Sequence, residues 1–189
     1  MKFFAYFLNF SLFFNCQSLN CFLCGVFRSF SAALAGFLPI PNATGGYIHI
    51  ADAIVYLCAS LLPMPYAASS SAVGFALADI LSGHPYYALP SAIIRLIIVL
   101  FFTAKEKKII TKRNIIALPV SLIITVSGYF VFKFILYYFI QKMPEVALTN
   151  AITSIPGNII QCLAGSVIYI LIGTALDKMN FKEKLFGGK

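Results

Sequence analysis

The chain has 189 residues, of which 60% are apolar and only 11% charged, with a mean hydropathy of +0.90. Soluble domains hold about 45–50% apolar residues, so a soluble globule of this size lacks the polar side chains to cover its surface, and disorder is excluded by the same composition. The class is an all-α integral membrane protein of one domain. A spanning helix takes about 20 residues, which leaves room for roughly five to seven spans. The net charge of +8 does not read as a nucleic-acid surface. The basic residues cluster in one gap (Lys105, Lys107, Lys108, Lys112, Arg113) and at the end (Lys178, Lys182, Lys184, Lys189). Such clusters mark cytoplasmic segments.

In chain order, residues 1–20, apolar over Phe3–Phe14 after Lys2, read as a membrane-embedded or interfacial lead-in, or as a signal-peptide core that no A-x-A cleavage pattern follows. They are followed by a six-transmembrane-helix bundle over 21–177 and a basic cytoplasmic tail over 178–189. The first span runs from about Cys21 to Leu38 and stops at Pro39 and Pro41. A glycine-bearing loop leads to a short second span, near Ile48 to Leu62, ended by Pro63 and Pro65. The third covers Tyr66 to about Leu81, and Ser82-Gly83-His84-Pro85 turns the chain. The fourth covers about Ala88 to Thr103, the fifth Ile115 to Ile140, and the sixth Val146 to Leu176 as one run. The basic residues place the gap after the fourth span, and hence both termini, in the cytoplasm. The loops near Gly46, His84 and Pro144 then share the outer face.

Ionisable groups inside a span are costly, at about 2.5–3.5 kcal/mol each on insertion scales, and mark function by default. Here they are Asp52, Asp79, Arg95 and Lys133, all in the outer half by this topology. On the sixth span Asn150, Ser154, Asn158, Gln161 and Gly165 recur at helical spacing and stripe one face. The outer loops carry Tyr47, His49, His84, Tyr86 and Tyr87. A cavity polar at its base and aromatic at its lid suits a small heteroaromatic ligand. The competing interpretation is that the charges neutralise one another inside the bundle and the amides tie helices together.

Five cysteines cannot all pair within one chain, and Cys21-x-x-Cys24 lacks the further ligands a zinc site needs. Cys58 and Cys162 sit in apolar runs and read as packing residues. The sequence contains no P-loop, nucleophile elbow or paired-carboxylate motif. No enzyme, metal or cofactor is therefore expected. Small residues on the third span (Ala68, Ala72, Ala76; Ser70, Gly74, Ala78) and the first (Ser29, Ala32, Ala33, Gly36) mark close helix contacts. They also support a second class of function, a membrane scaffold or assembly protein without a small ligand.

Gly45-Gly46-Tyr47-Ile48-His49-Ile50-Ala51-Asp52-Ala53 resembles the G-G-Y-I-H-x-x-D-A segment of S components of energy-coupling factor (ECF) vitamin transporters. Ala76–Gly83, Pro90-Ser91-Ala92-Ile93-Ile94-Arg95 and the Pro156-Gly157-Asn158 of the last span are similar to the same family. The resemblance implies a six-helix bundle that binds a water-soluble vitamin or precursor from outside. It also implies docking on a transmembrane coupling protein with two cytoplasmic ATPases. The loop motif looks closest to proteins proposed for hydroxymethylpyrimidine or pyridoxine. With the polar set above, it names Gly46, Tyr47, His49, Asp52, Asp79, Tyr86, Arg95, Asn150 and Asn158 as candidate ligand residues. Relatives carry an A-x-x-x-A docking face on the first helix, and Ala32-x-x-x-Gly36 is its nearest equivalent here.

Overall fold

A computed structural model describes residues 19–37, 40–41, 47–48 and 51–186. The elements are α1 (Leu19–Phe37), β1 (Ile40–Pro41), β2 (Tyr47–Ile48), α2 (Asp52–Leu61), α3 (Met64–Leu81) and α4 (Pro85–Val99). Then come α5 (Lys112–Ile135) with a π-helical extension over Leu136–Ile140, α6 (Pro144–Thr153), α7 (Ile155–Lys178) and α8 (Phe181–Phe186). The two strands form an antiparallel hairpin in which Ile40 faces Ile48 and Pro41 faces Tyr47. β2 leans on α7.

The centre of the bundle is α2. All ten of its residues are buried, because its sequence is apolar around the whole circumference. Ten residues make a rod of about 15 Å, half of a bilayer's hydrocarbon thickness. The second predicted span is therefore too short to cross alone. It ends where Leu62 turns extended and Pro63 and Pro65 open α3. α3 packs closely against α1 on one side and α4 on the other. Its buried Ala67, Ala68, Ser70, Ala72, Gly74 and Ala78 allow that approach. Ser70 Oγ reaches across to the Cys24 carbonyl of α1 at 3.0 Å. Gly83, at φ +80°, makes the turn into α4.

The sixth predicted span is one apolar helical run, Pro144–Lys178, interrupted by a single turn residue. Pro156 lacks an N–H and crowds the carbonyl of Ile152, so the chain breaks at Ser154 and restarts as α7. The basic tail also holds more structure than its charge suggests, since α8 folds back and buries Lys182. Among the described residues, two helical runs, Lys112–Ile140 and Pro144–Lys178, are long and apolar enough to cross a bilayer. The outside of the bundle is apolar. Ile116, Ile123, Leu163, Val167 and Leu171 are all more than half exposed, an exterior that lipid solvates and water does not.

Candidate functional site

Asp52, the first residue of α2, has no exposed surface, and neither has Arg95 of α4. Arg95 Nη2 lies 2.7 Å from Asp52 Oδ1. The other carboxylate oxygen accepts from Gln161 Nε2 at 3.0 Å and lies 3.8 Å from the Cys162 thiol, both on α7. The guanidinium also sits over the Phe75 ring of α3 at 4.3 Å, and its Nη1 is 3.5 Å from Thr125 Oγ1 of α5. Five helices thus meet at one buried ion pair. Gly165 makes this possible: a Cβ there would come within 2.9 Å of Asp52 Cβ and 3.2 Å of the Ala53 nitrogen. Such a pair is weak evidence for stability, because removing two charges from water offsets most of their attraction. Its position is the more informative property.

Polar and aromatic groups continue away from the pair. Tyr129 of α5 shares a 2.8 Å hydrogen bond with Ser91 of α4. Tyr87 packs its ring on Tyr129 and Phe132, at 6.5 and 5.2 Å between centroids. Asp79, at the end of α3, is buried within electrostatic reach of Tyr87 and Tyr129. Lys133 is buried on the same side of α5 as Tyr129. On α7, Asn158 lies three residues before Gln161 and so shares its face. Its Nδ2 is buried without a hydrogen-bond partner among the described residues.

The predicted candidates therefore separate. Asp52 and Arg95 touch; Asp79 lies buried on the helix that carries Phe75, and Asn158 half-buried on the helix that carries Gln161. Asn150 is on α6, above the break, and its amide donates to the Val146 carbonyl of its own helix at 3.1 Å. Tyr86 does not join the group. It is 69% exposed, while its neighbour Tyr87, about 100° further round the helix, turns inward. Gly46 and His49 lie outside the described residues, and Tyr47 is placed only as part of β2. Ala32 and Gly36 lie on α1.

Gln161, Thr125, Tyr129, Ser91 and Phe75 complete the neighbourhood and were not among the candidates. Ser121, Thr125, Tyr129 and Lys133 recur every fourth residue, a polar row on α5 that marks its inward face as plainly as the stripe on α7 does. Phe75 carries no such signal, because an aromatic in an apolar helix reads as packing.

A family model for the ECF-type riboflavin transporter S component matches residues 16–178. The chain belongs to this family. It is thus a membrane-integral substrate-binding component of vitamin transport, from a family of transporters and not of enzymes. The matching family model is named for riboflavin. No curated protein and no solved structure matches the chain.

Proposed function

We propose that this S component binds a water-soluble vitamin with a flat heteroaromatic ring, riboflavin in the first instance, with high affinity from the extracytoplasmic side. In this reading it is a multi-pass protein of a prokaryotic plasma membrane, a bundle of six membrane helices with both termini cytoplasmic. It delivers the vitamin inward together with a transmembrane coupling protein and two cytoplasmic ATPases. The family match over residues 16–178 carries the reading, and the convergence of five helices on Asp52 and Arg95 supports it. Asn158 offers an amide donor to a ring carbonyl or nitrogen, and Tyr87 and Tyr129 offer aromatic faces. Docking is assigned to α1. Its Phe22, Gly25, Val26, Ser29 and Ala33 are exposed, and Ala32 and Gly36 continue the row by register.

Riboflavin fluorescence tests this directly. The purified chain, without ATP, should quench it saturably at nanomolar to micromolar protein. Asp52→Ala, Asp79→Ala and Asn158→Ala should each weaken the binding. Normal binding by all three variants would move the site elsewhere. A ligand at 100 times its dissociation constant stabilises a binder by about 2.7 kcal/mol. A melting screen in which no vitamin raises the transition would instead favour the scaffold function.

A further inference from the structure

Outside the Asp52 cluster, the end of α4 and the start of α5 line a surface groove of about 610 Å³. Its walls are Leu100, Phe101, Ile116, Ala117 and Val120, and its single charged residue is Arg113. The guanidinium is held in place: Nε donates to the Phe101 carbonyl at 3.1 Å and Nη2 to the Leu100 carbonyl at 3.3 Å. These are carbonyls that the end of α4 leaves without helical partners. Two of five N–H donors are thereby used, and the exposed side chain keeps the others for a ligand. Lys105, Lys107, Lys108 and Lys112 are also exposed on the segment that joins α4 to Arg113, opposed within it only by Glu106.

Charge and shape together select the occupant. A soluble anion would use the cations but gain nothing from walls such as Phe101, 42% exposed, and Ile116, 65% exposed. An apolar helix of another protein would cover the walls and leave the cations without partners. A molecule with a phosphate at one end and a hydrocarbon chain at the other matches both, and basic pockets at helix ends suit acidic headgroups. Arginine's planar fork fits a phosphate in particular. We propose that this groove is a binding site for one anionic phospholipid. Its phosphate rests on Arg113 and Lys112, and an acyl chain lies along Ile116, Ala117 and Val120 against Leu100 and Phe101.

Native mass spectrometry of the full chain in detergent tests this, with phosphatidylglycerol or phosphatidylcholine of identical acyl chains added. One phosphatidylglycerol should be retained in preference to phosphatidylcholine, and Arg113→Gln should lower its retention roughly fivefold. Arg113 also caps α4, so a second variant separates folding from binding. Ile116→Trp fills the groove with every charge intact and should also release the lipid. Ile123→Trp, equally exposed on the same helix but outside the groove, should not. Equal retention of the two lipids would overturn the proposal, as would wild-type retention by Ile116→Trp. A dimer peak lost in Ile116→Trp would assign the groove to a second copy of the chain and overturn it as well.

Discussion

The two ends of α2 are both buried and polar, yet they are built on opposite terms. At the C-terminal end, the inner one in the proposed topology, Ser60 Oγ donates to Tyr56 O and meets the Tyr169 hydroxyl at 2.8 Å. Asn114 Nδ2 reaches Ser60 Oγ and the carbonyls of Thr103 and Ile109, while its Oδ1 accepts from Thr103 N. Asp177 takes the backbone N–H groups of Ile109 and Ile110 at 2.7 and 2.9 Å. Lys182 donates to the Ser60 carbonyl. Tyr56, Phe102 and Tyr169 pack their rings around the knot. Almost every bond here engages the backbone, so this end holds α2, α5, α7, the basic loop and α8 together. At the outer end the bonds run side chain to side chain, and Arg95 Nε and Asn158 Nδ2 have no hydrogen-bond partner among the described residues. A saturated network resists change, whereas one with open donors is suited to accept a ligand.

The sharpest way to break this contrast is to take the ion pair apart. Asp52→Ala or Arg95→Met leaves one charge buried and unpaired, at a cost of about 3–5 kcal/mol. The double variant should recover most of that loss, because an apolar pair of similar volume needs no partners. Denaturation in micelles measures both quantities, and vitamin titration measures binding. All three variants should lose vitamin binding. A double variant that is stable and still binds with unchanged affinity would reduce the outer cluster to structure alone.

At the inner end the expected pattern reverses. Asn114→Ala removes the partner of Thr103 N and loosens the Ile109 carbonyl, so it should destabilise by about 2–3 kcal/mol. Folded molecules should then bind the vitamin with unchanged affinity. Next in size is Gly165→Ala, which drives a methyl into Asp52 and the backbone of Ala53. We expect a loss of about 1–3 kcal/mol and weaker ligand binding, because α7 must retreat from α2. Gly173→Ala is its control near the inner end. There the added carbon meets the Ile110 side-chain tip, which can rotate away, so melting should fall less and affinity should hold.

How much of this was legible beforehand differs between the two ends as well. Asp52 and Arg95 stand out in any apolar sequence, because a charge in a span has few ordinary explanations. That charges of the spans neutralise one another was one of the two readings, but which of them pair depends on how deep the ten-residue α2 sits, which packing decides. The face of α7 was legible from its spacing. The break at Ser154 was signalled by Pro156, but proline within a membrane helix is tolerated often enough that the rule does not decide each case. Pro90 and Pro119 sit inside continuous helices here. The inner knot was nearly invisible. Asn114 reads as an ordinary residue next to a basic loop, and Asp177 and Lys182 read as interfacial charges. Asp177 and Lys182 acquire their roles from backbone groups more than sixty residues away, and Asn114 from the backbone of Thr103 and Ile109 in the loop before it; backbone groups leave no trace in composition.

The smallest effect expected concerns Lys182, whose side chain reaches back into the inner knot. Burial lowers its affinity for a proton, and the nearby Asp177 and Glu106 charges only partly restore it. The folded chain thus holds this proton less tightly than the unfolded chain, where a lysine titrates near its ordinary value of about 10.4. Between the lowered value and that ordinary one, the unfolded state carries more protons, so this group makes stability rise with pH across the alkaline range. The contact itself survives, because a neutral amine still donates to the Ser60 carbonyl. Lys182→Met should remove that alkaline gain while losing the hydrogen bond at every pH. Melting temperatures of the two proteins, followed from neutral pH upward, should therefore diverge in favour of the wild type. A constant gap across the range would mean that the lysine is as well solvated in the folded chain as in the unfolded one, and that α8 does not seal the inner end of α2.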